Sequence, residues 1–207
     1  MTADGVASNS AASNPPEPAP VPLVNIANIL TVSRLALVPV FLVALFWAGG
    51  HDTLWRWIAT GVFIIASITD RIDGDLARKR GLVTDFGKVA DPIADKALTG
   101  AALVGLSLLG DLSWWITWVI IGREIAVTLL RFWVIRHGVI AASHGGKIKT
   151  LLQAIAIGLY LLPLGGWADL LRWAVMGVAL IATVGTGVDY VVRALRLRAA
   201  GQAKVNA

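Results

Sequence analysis

Beyond residue 22 the apolar positions come in long blocks, not in the alternation of a strand or the single stripe of a soluble amphipathic helix. Six blocks follow one another: about Ile29 to Trp47, Leu54 to Thr69, Ile93 to Leu109, Trp114 to Ile135, Ile148 to Leu164 and Leu170 to Val192. Each can carry a helix of roughly 20 residues, the length that crosses a hydrocarbon core. The second is expected to continue as helix through polar residues to Arg78. Gly49-Gly50, Gly110-Asp111 and Gly165-Gly166 fall between blocks and mark tight turns. The expected fold is therefore an all-α integral membrane protein with six transmembrane helices.

Composition agrees. The chain of 207 residues is 57% hydrophobic and 15% charged, where soluble domains carry about 25% charged residues. It has no cysteine, which excludes a disulfide framework and a thiolate metal site. Nine tryptophans suit anchoring at a membrane interface. A net charge of +5 would suit nucleic acid in a soluble chain; here it fits basic loops against anionic lipid. Residues 1–22, rich in Ala, Ser, Asn and Pro, lack the blocks of a signal peptide and are expected to form a disordered tail. A membrane domain over 23–196 and a basic tail over 197–207 follow.

Orientation comes from Lys and Arg. The connections after the first, third and fifth blocks hold few, chiefly Arg56 and Arg172. Those after the second and fourth hold Arg71, Arg78, Lys79, Arg80, Lys88, Arg136, Lys147 and Lys149, and the C-terminus adds Arg193, Arg196, Arg198 and Lys204. Both termini are expected in the cytoplasm.

Chemistry concentrates where the second and third blocks meet that side. Asp70 and Asp73 are three apart and share one helix face; Asp91 and Asp95 are four apart and share another. Carboxylates at membrane depth need compensation. Acids clustered without His or Cys favour a hard ion, Mg²⁺ or Mn²⁺, over Zn²⁺. Gly74, Ala77 and Gly87 lie on or beside the acidic faces and would let a flat ligand approach the backbone. Arg78 can pair with a phosphate. Metal, small residues and an arginine together suit a nucleotide pyrophosphate. Taken singly, each has a plain reading as a cap, a packing residue or inner-leaflet charge.

The full spacing, Asp-x2-Asp-Gly-x2-Ala-Arg-x8-Gly-x3-Asp-x3-Asp from Asp70 to Asp95, resembles the signature of the CDP-alcohol phosphotransferase family at all eight fixed positions. The resemblance extends over roughly Asn25 to Arg196 and implies a six-helix membrane fold. It implies that Asp70, Asp73, Asp91 and Asp95 bind two metal ions, with Asp95 also the general base. It implies that Gly74, Ala77, Arg78 and Thr84 hold CDP-diacylglycerol, with Asn28 and Thr31 on the entry to the first helix. That entry, Asn25-Ile26-Ala27-Asn28-Ile29-Leu30-Thr31-Val32-Ser33-Arg34, resembles the family branch that transfers to glycerol 3-phosphate, with Ala27 in place of the usual Pro. Gly122-Arg123-Glu124-Ile125 and Gly145-Gly146-Lys147-Ile148-Lys149-Thr150 with Gln153 resemble two further motifs of that branch.

A phosphorylated acceptor needs cations beside the acid cluster. Arg123, Lys147 and Lys149 are the candidates, with Arg131 a lesser one. Glu124 neighbours Arg123 in sequence but projects from a different helix face, so it is not an obvious full partner. The bland reading makes Arg123 and Glu124 an ion pair and the lysines ordinary loop charge. The resemblance implies transfer of a phosphatidyl group from CDP-diacylglycerol to glycerol 3-phosphate in a bacterial plasma membrane, by a homodimer. Alternative acceptors are inositol phosphate, or phosphatidylglycerol to give cardiolipin. A divalent-cation transporter would explain the acids but not Gly74, Ala77 and Arg78, and no internal repeat supports it.

Overall fold

The computed structural model describes residues 26–80, 85–134 and 144–205. Six helices account for nearly all of them: α1 (Ile26–Phe46), α2 (Thr53–Arg80), α3 (Asp85–Leu108), α4 (Trp114–Val134), α5 (His144–Leu161) and α6 (Trp167–Val205). A short 3₁₀ turn, Trp47–Gly50, links α1 to α2, and no strand occurs among the described residues. The expected turns form where glycine permits them. Gly50 and Gly110 both adopt the left-handed backbone conformation, with φ of 82° and 80°, which a Cβ would disfavour.

Two helices run further than the apolar blocks suggest. α3 starts at Asp85, so Asp91 and Asp95 both lie inside it; an acid favours a helix N-terminus. α6 continues through residues 197–205 as one helix of 39 residues.

The bundle core is apolar and tightly interlocked. α1 packs between α2 and α3, α5 against α6, and α4 against α6. Phe41, Leu45, Phe63, Leu103, Leu106, Ile120, Ile157 and Met176 form a continuous interior. Gly105 is what lets α1 approach α3. A Cβ there would meet the Leu45 side chain at 2.6 Å, a small-residue contact common between membrane helices.

The outer surface is also apolar. Ile65, Trp118, Leu129, Leu170 and Ile181 are more than half exposed, and so are many other large apolar side chains. Water tolerates no such continuous apolar surface on a lone chain. α1 and α6 contain segments long and apolar enough to cross a membrane, Thr31–Gly50 and Trp167–Arg198. The apolar stretches of α2 and α3 are shorter, Thr53–Thr69 and Lys96–Leu108, because each helix gives its other part to charged residues. α4 is interrupted by Arg123, Glu124 and Arg131.

One end of the bundle is closed by a single arginine. Arg56, buried at the start of α2, forms an ion pair with Asp111 of the α3–α4 turn. It also donates from Nε to the Gly50 carbonyl at 2.6 Å and from Nη1 to the Tyr160 carbonyl at 3.4 Å. Two helix connections and the last turn of α5 are thus tied to one side chain. Removing one member of such a pair strands the other. Asp111→Ala should cost about 3–5 kcal/mol, read as a lower thermal midpoint of the purified protein in detergent. An unchanged midpoint would show that the pair is not structural.

Candidate active site

The acid signature lies on two helices in contact with each other. Asp70, Asp73, Gly74, Ala77 and Arg78 fall on the C-terminal half of α2, and Asp91 and Asp95 on the N-terminal half of α3. The spacing keeps each acid pair on one face of its own helix. The side chains of these seven residues, and those of Asn28 and Arg131, lie outside the described residues, as does Thr84 entirely. Among the described residues no group of acids, histidines or cysteines is arranged to hold a metal. The donor set on α2 and α3 consists of carboxylates alone, which fits a hard divalent ion.

The cations are resolved in more detail. Lys149, on the second turn of α5, is buried, and its Nζ donates to Glu124 Oε1 of α4. The same oxygen accepts from Arg123 Nη1 at 2.9 Å. Arg123 Nη2 donates to Thr186 Oγ1 of α6 at 3.0 Å, and its stem lies along Gly187, where a Cβ would sit 3.2 Å from Arg123 Cγ. This corrects the expectation that Glu124 is no full partner for Arg123. Neighbouring residues leave a helix in different directions, but both side chains are long enough to curl back and meet. The bland reading of a buried ion pair between helices holds in part: Arg123 and Glu124 pair within α4 and are part-buried, and the link between helices is made by Lys149 of α5.

Lys147 and Lys149 also separate. Lys147 is exposed at the start of α5, and two residues on Lys149 is enclosed. A shift of two positions turns a helix by about 200°, so only one of the two can face the bundle. Thr31 and Arg34, which follow Asn28 on α1, are both buried.

Lys96 and Thr128 carry little signal in the sequence. Lys96 Nζ donates to Thr128 Oγ1, joining α3 to α4 one residue after Asp95. Thr128 Oγ1 donates in turn to the Glu124 carbonyl at 2.7 Å. Gln153, one turn beyond Lys149, is buried with its Nε2 lacking an acceptor. A lone lysine inside an apolar stretch was the available hint for Lys96; which helix it would reach was not.

The arrangement thus combines an acid-bearing helix pair with a buried, partly neutralised set of cations on the helices packed beside it. Known proteins are similar to this chain over most of its length. The chain is 58% identical over 174 residues to a probable phosphatidylglycerophosphate synthase of Mycobacterium tuberculosis, covering 84% of this chain and 83% of that one. It is 41% identical over 183 residues to a CDP-diacylglycerol–glycerol-3-phosphate 3-phosphatidyltransferase of Bacillus subtilis, covering 80% and 93%. It is 37% identical over 174 residues to a CMP-forming cardiolipin synthase of Oryza sativa, covering 76% and 50%. The model of the CDP-alcohol phosphatidyltransferases matches residues 24–185, and the chain belongs to that family.

Proposed function

We propose that this chain transfers the phosphatidyl group of CDP-diacylglycerol to sn-glycerol 3-phosphate, giving phosphatidylglycerol phosphate and CMP. The observation that carries the choice of acceptor is the set formed by buried Lys149 with part-buried Glu124 and Arg123, which offers cations for a phosphorylated acceptor in the bundle that carries the acid signature. The names of the Mycobacterium and Bacillus relatives support the same acceptor. The Oryza relative is named for cardiolipin synthesis, but the phosphatidylglycerol acceptor of that reaction brings a singly charged phosphodiester, which calls for fewer cations than a phosphomonoester.

The chemistry can be assigned to residues. The hydroxyl of the acceptor attacks the phosphorus attached to diacylglycerol, and the bond to CMP breaks. An alcohol at its ordinary pKa is a weak nucleophile, so Asp95 takes its proton. Asp70, Asp73, Asp91 and Asp95 would hold two divalent ions, Mg²⁺ or Mn²⁺. When bound, these would supply neutralising charge for the pyrophosphate and the developing negative charge. Gly74 and Ala77 leave room for the nucleotide, and Arg78 pairs with its phosphate, with Asn28, Thr31 and Thr84 completing that side. Arg123, Lys147, Lys149 and Arg131 bind the acceptor phosphate, with Lys149 foremost because it is enclosed.

The site needs a lipid substrate and a water-soluble one at the same place. Six spans with both termini in the cytoplasm put the acid ends of α2 and α3 at the inner interface of a bacterial plasma membrane. The basic residues near those ends support that orientation. The homodimer rests on the family resemblance alone.

Cysteines at Asp52 and Asp169 should react with an impermeant reagent from outside the cell, and one at Gly81 should not. The reverse pattern would overturn the topology. Labelled-lipid analysis with CDP-diacylglycerol should show phosphatidylglycerol phosphate with glycerol 3-phosphate, and no product with inositol phosphate or phosphatidylglycerol. Excess chelator should abolish it, and Mg²⁺ or Mn²⁺ should restore it; full activity in chelator would contradict the carboxylate metal site. Lys149→Ala should raise KM for glycerol 3-phosphate roughly ten- to a hundredfold, the effect of one charge-assisted contact. Lys147→Ala should raise it less, and KM for CDP-diacylglycerol should stay within about twofold in both.

A further inference from the structure

α4 meets α6 through one arginine and the two residues of α6 that receive it. Ala179, Thr183, Gly187, Tyr190 and Ala194 are buried and mark the inward face of α6. Thr186 borders that face. Its single hydroxyl hydrogen is taken by its own helix: Oγ1 lies 2.7 Å from the Ala182 carbonyl oxygen and 3.1 Å from that of Thr183. Only lone pairs are left, so Thr186 meets other groups as an acceptor. Arg123 Nη2 of α4 donates to it at 3.0 Å.

Gly187, the next residue, makes room for the same side chain. A Cβ there would sit 3.2 Å from Arg123 Cγ and 3.3 Å from Arg123 Nε, closer than ordinary van der Waals contact. The stem of Arg123 therefore lies against α6 where a larger residue would lift it. Arg123 Nη1 meanwhile donates to Glu124 Oε1 at 2.9 Å. With one terminal nitrogen held from α4 and the other from α6, the plane of the guanidinium is fixed. Each of these nitrogens carries a second hydrogen that neither bond uses. A guanidinium fixed in its plane is what bidentate capture of phosphate oxygens requires.

We propose that Thr186 and Gly187 are positioning residues that hold Arg123 in the orientation in which it meets the acceptor phosphate. The proposal rests on the transferase reading above and deepens it, because it brings α6, which carries none of the motifs, into acceptor binding. Loss of the Thr186 hydroxyl frees one terminal nitrogen and lets the guanidinium rotate toward Glu124 alone. A Cβ at position 187 displaces the stem instead and leaves both hydrogen-bond partners in place. The two changes reach Arg123 by different routes, so they share one signature: weaker acceptor binding with the lipid substrate unaffected.

The test uses the full chain in detergent–lipid micelles. Thr186→Val keeps the shape and removes the hydroxyl; Thr186→Ser keeps the hydroxyl. In Thr186→Val, KM for glycerol 3-phosphate should rise roughly tenfold, the effect of one hydrogen bond to a charged group. Its kcat and its KM for CDP-diacylglycerol should stay within about twofold. Thr186→Ser should bring the first KM back to within a few-fold of the unaltered chain. Gly187→Ala should raise the same KM without lowering the melting midpoint, since alanine favours a helix more than glycine does. A second measurement needs no turnover. Without added metal or lipid substrate, inorganic phosphate should raise the melting midpoint of the unaltered chain and of Thr186→Ser, and roughly tenfold more of it should be needed in Thr186→Val. An unchanged KM for glycerol 3-phosphate in Thr186→Val overturns the proposal. Equal losses in Thr186→Val and Thr186→Ser also overturn it and make Thr186 a packing residue. A matching rise in KM for CDP-diacylglycerol overturns it by assigning the pair to the nucleotide side. An unchanged KM or a lower midpoint in Gly187→Ala overturns the role of Gly187. If the unaltered chain makes no product from glycerol 3-phosphate, the transferase reading fails, and the phosphate-dependent midpoints then judge the placement of Arg123 on their own.

Discussion

Charge inside a bundle whose outer faces are apolar has no water to turn to. Each ionic group must find its partners within the bundle, and where these lie on other helices they organise the interior. Glu124 is where the requirement is met most fully. One carboxylate oxygen takes a guanidinium from α4 and an ammonium from α5. Arg123 carries the connection on to Thr186 of α6, and Thr128 brings in Lys96 of α3. Four helices are thereby fixed relative to one another by polar contacts that apolar packing alone would not specify. Such contacts give register more than stability, since lifting charges out of water offsets much of the attraction between them.

The two ends of the bundle use arginine differently. At the end that carries Gly50, Asp111 and the α5–α6 turn, Arg56 donates to the Gly50 and Tyr160 carbonyls and to the Asp111 carboxylate. Its charge is matched one for one, and short turns surround it. Deeper in the bundle, Glu124 takes a guanidinium and an ammonium on one oxygen. Buried polar atoms without partners occur in both places: Tyr160 Oη and Arg172 Nε near the first, Arg123 Nε and Gln153 Nε2 near the second.

On the function proposed here, acids on α2 and α3 and cations on α4 and α5 would let two anionic substrates share one site. A pyrophosphate and a phosphomonoester repel each other at close range. Divalent ions on the carboxylates would offset the first, and fixed cations on neighbouring helices would offset the second. Keeping the two compensations on different helices lets each substrate bind through its own contacts.

Much of this was legible in the linear sequence. The six apolar blocks locate the six helices, and the glycine pairs locate the turns, because block length and positive-φ preference are local properties. The spacing from Asp70 to Asp95 puts each acid pair on one helix face for the same reason. The start of α3 at Asp85 was less visible, since polar residues carry no apolar signal even where they are helical. Partnership was not legible at all. Arg123 and Glu124 look mismatched when helix faces are counted, yet their long side chains curl together. Lys147 and Lys149 look equivalent, yet one is exposed and the other enclosed. Lys96 gives no sign that it reaches Thr128, 32 positions away. Local periodicity determines which face a residue occupies; only the packing of helix against helix decides what that face meets, because the partners come from distant parts of the chain.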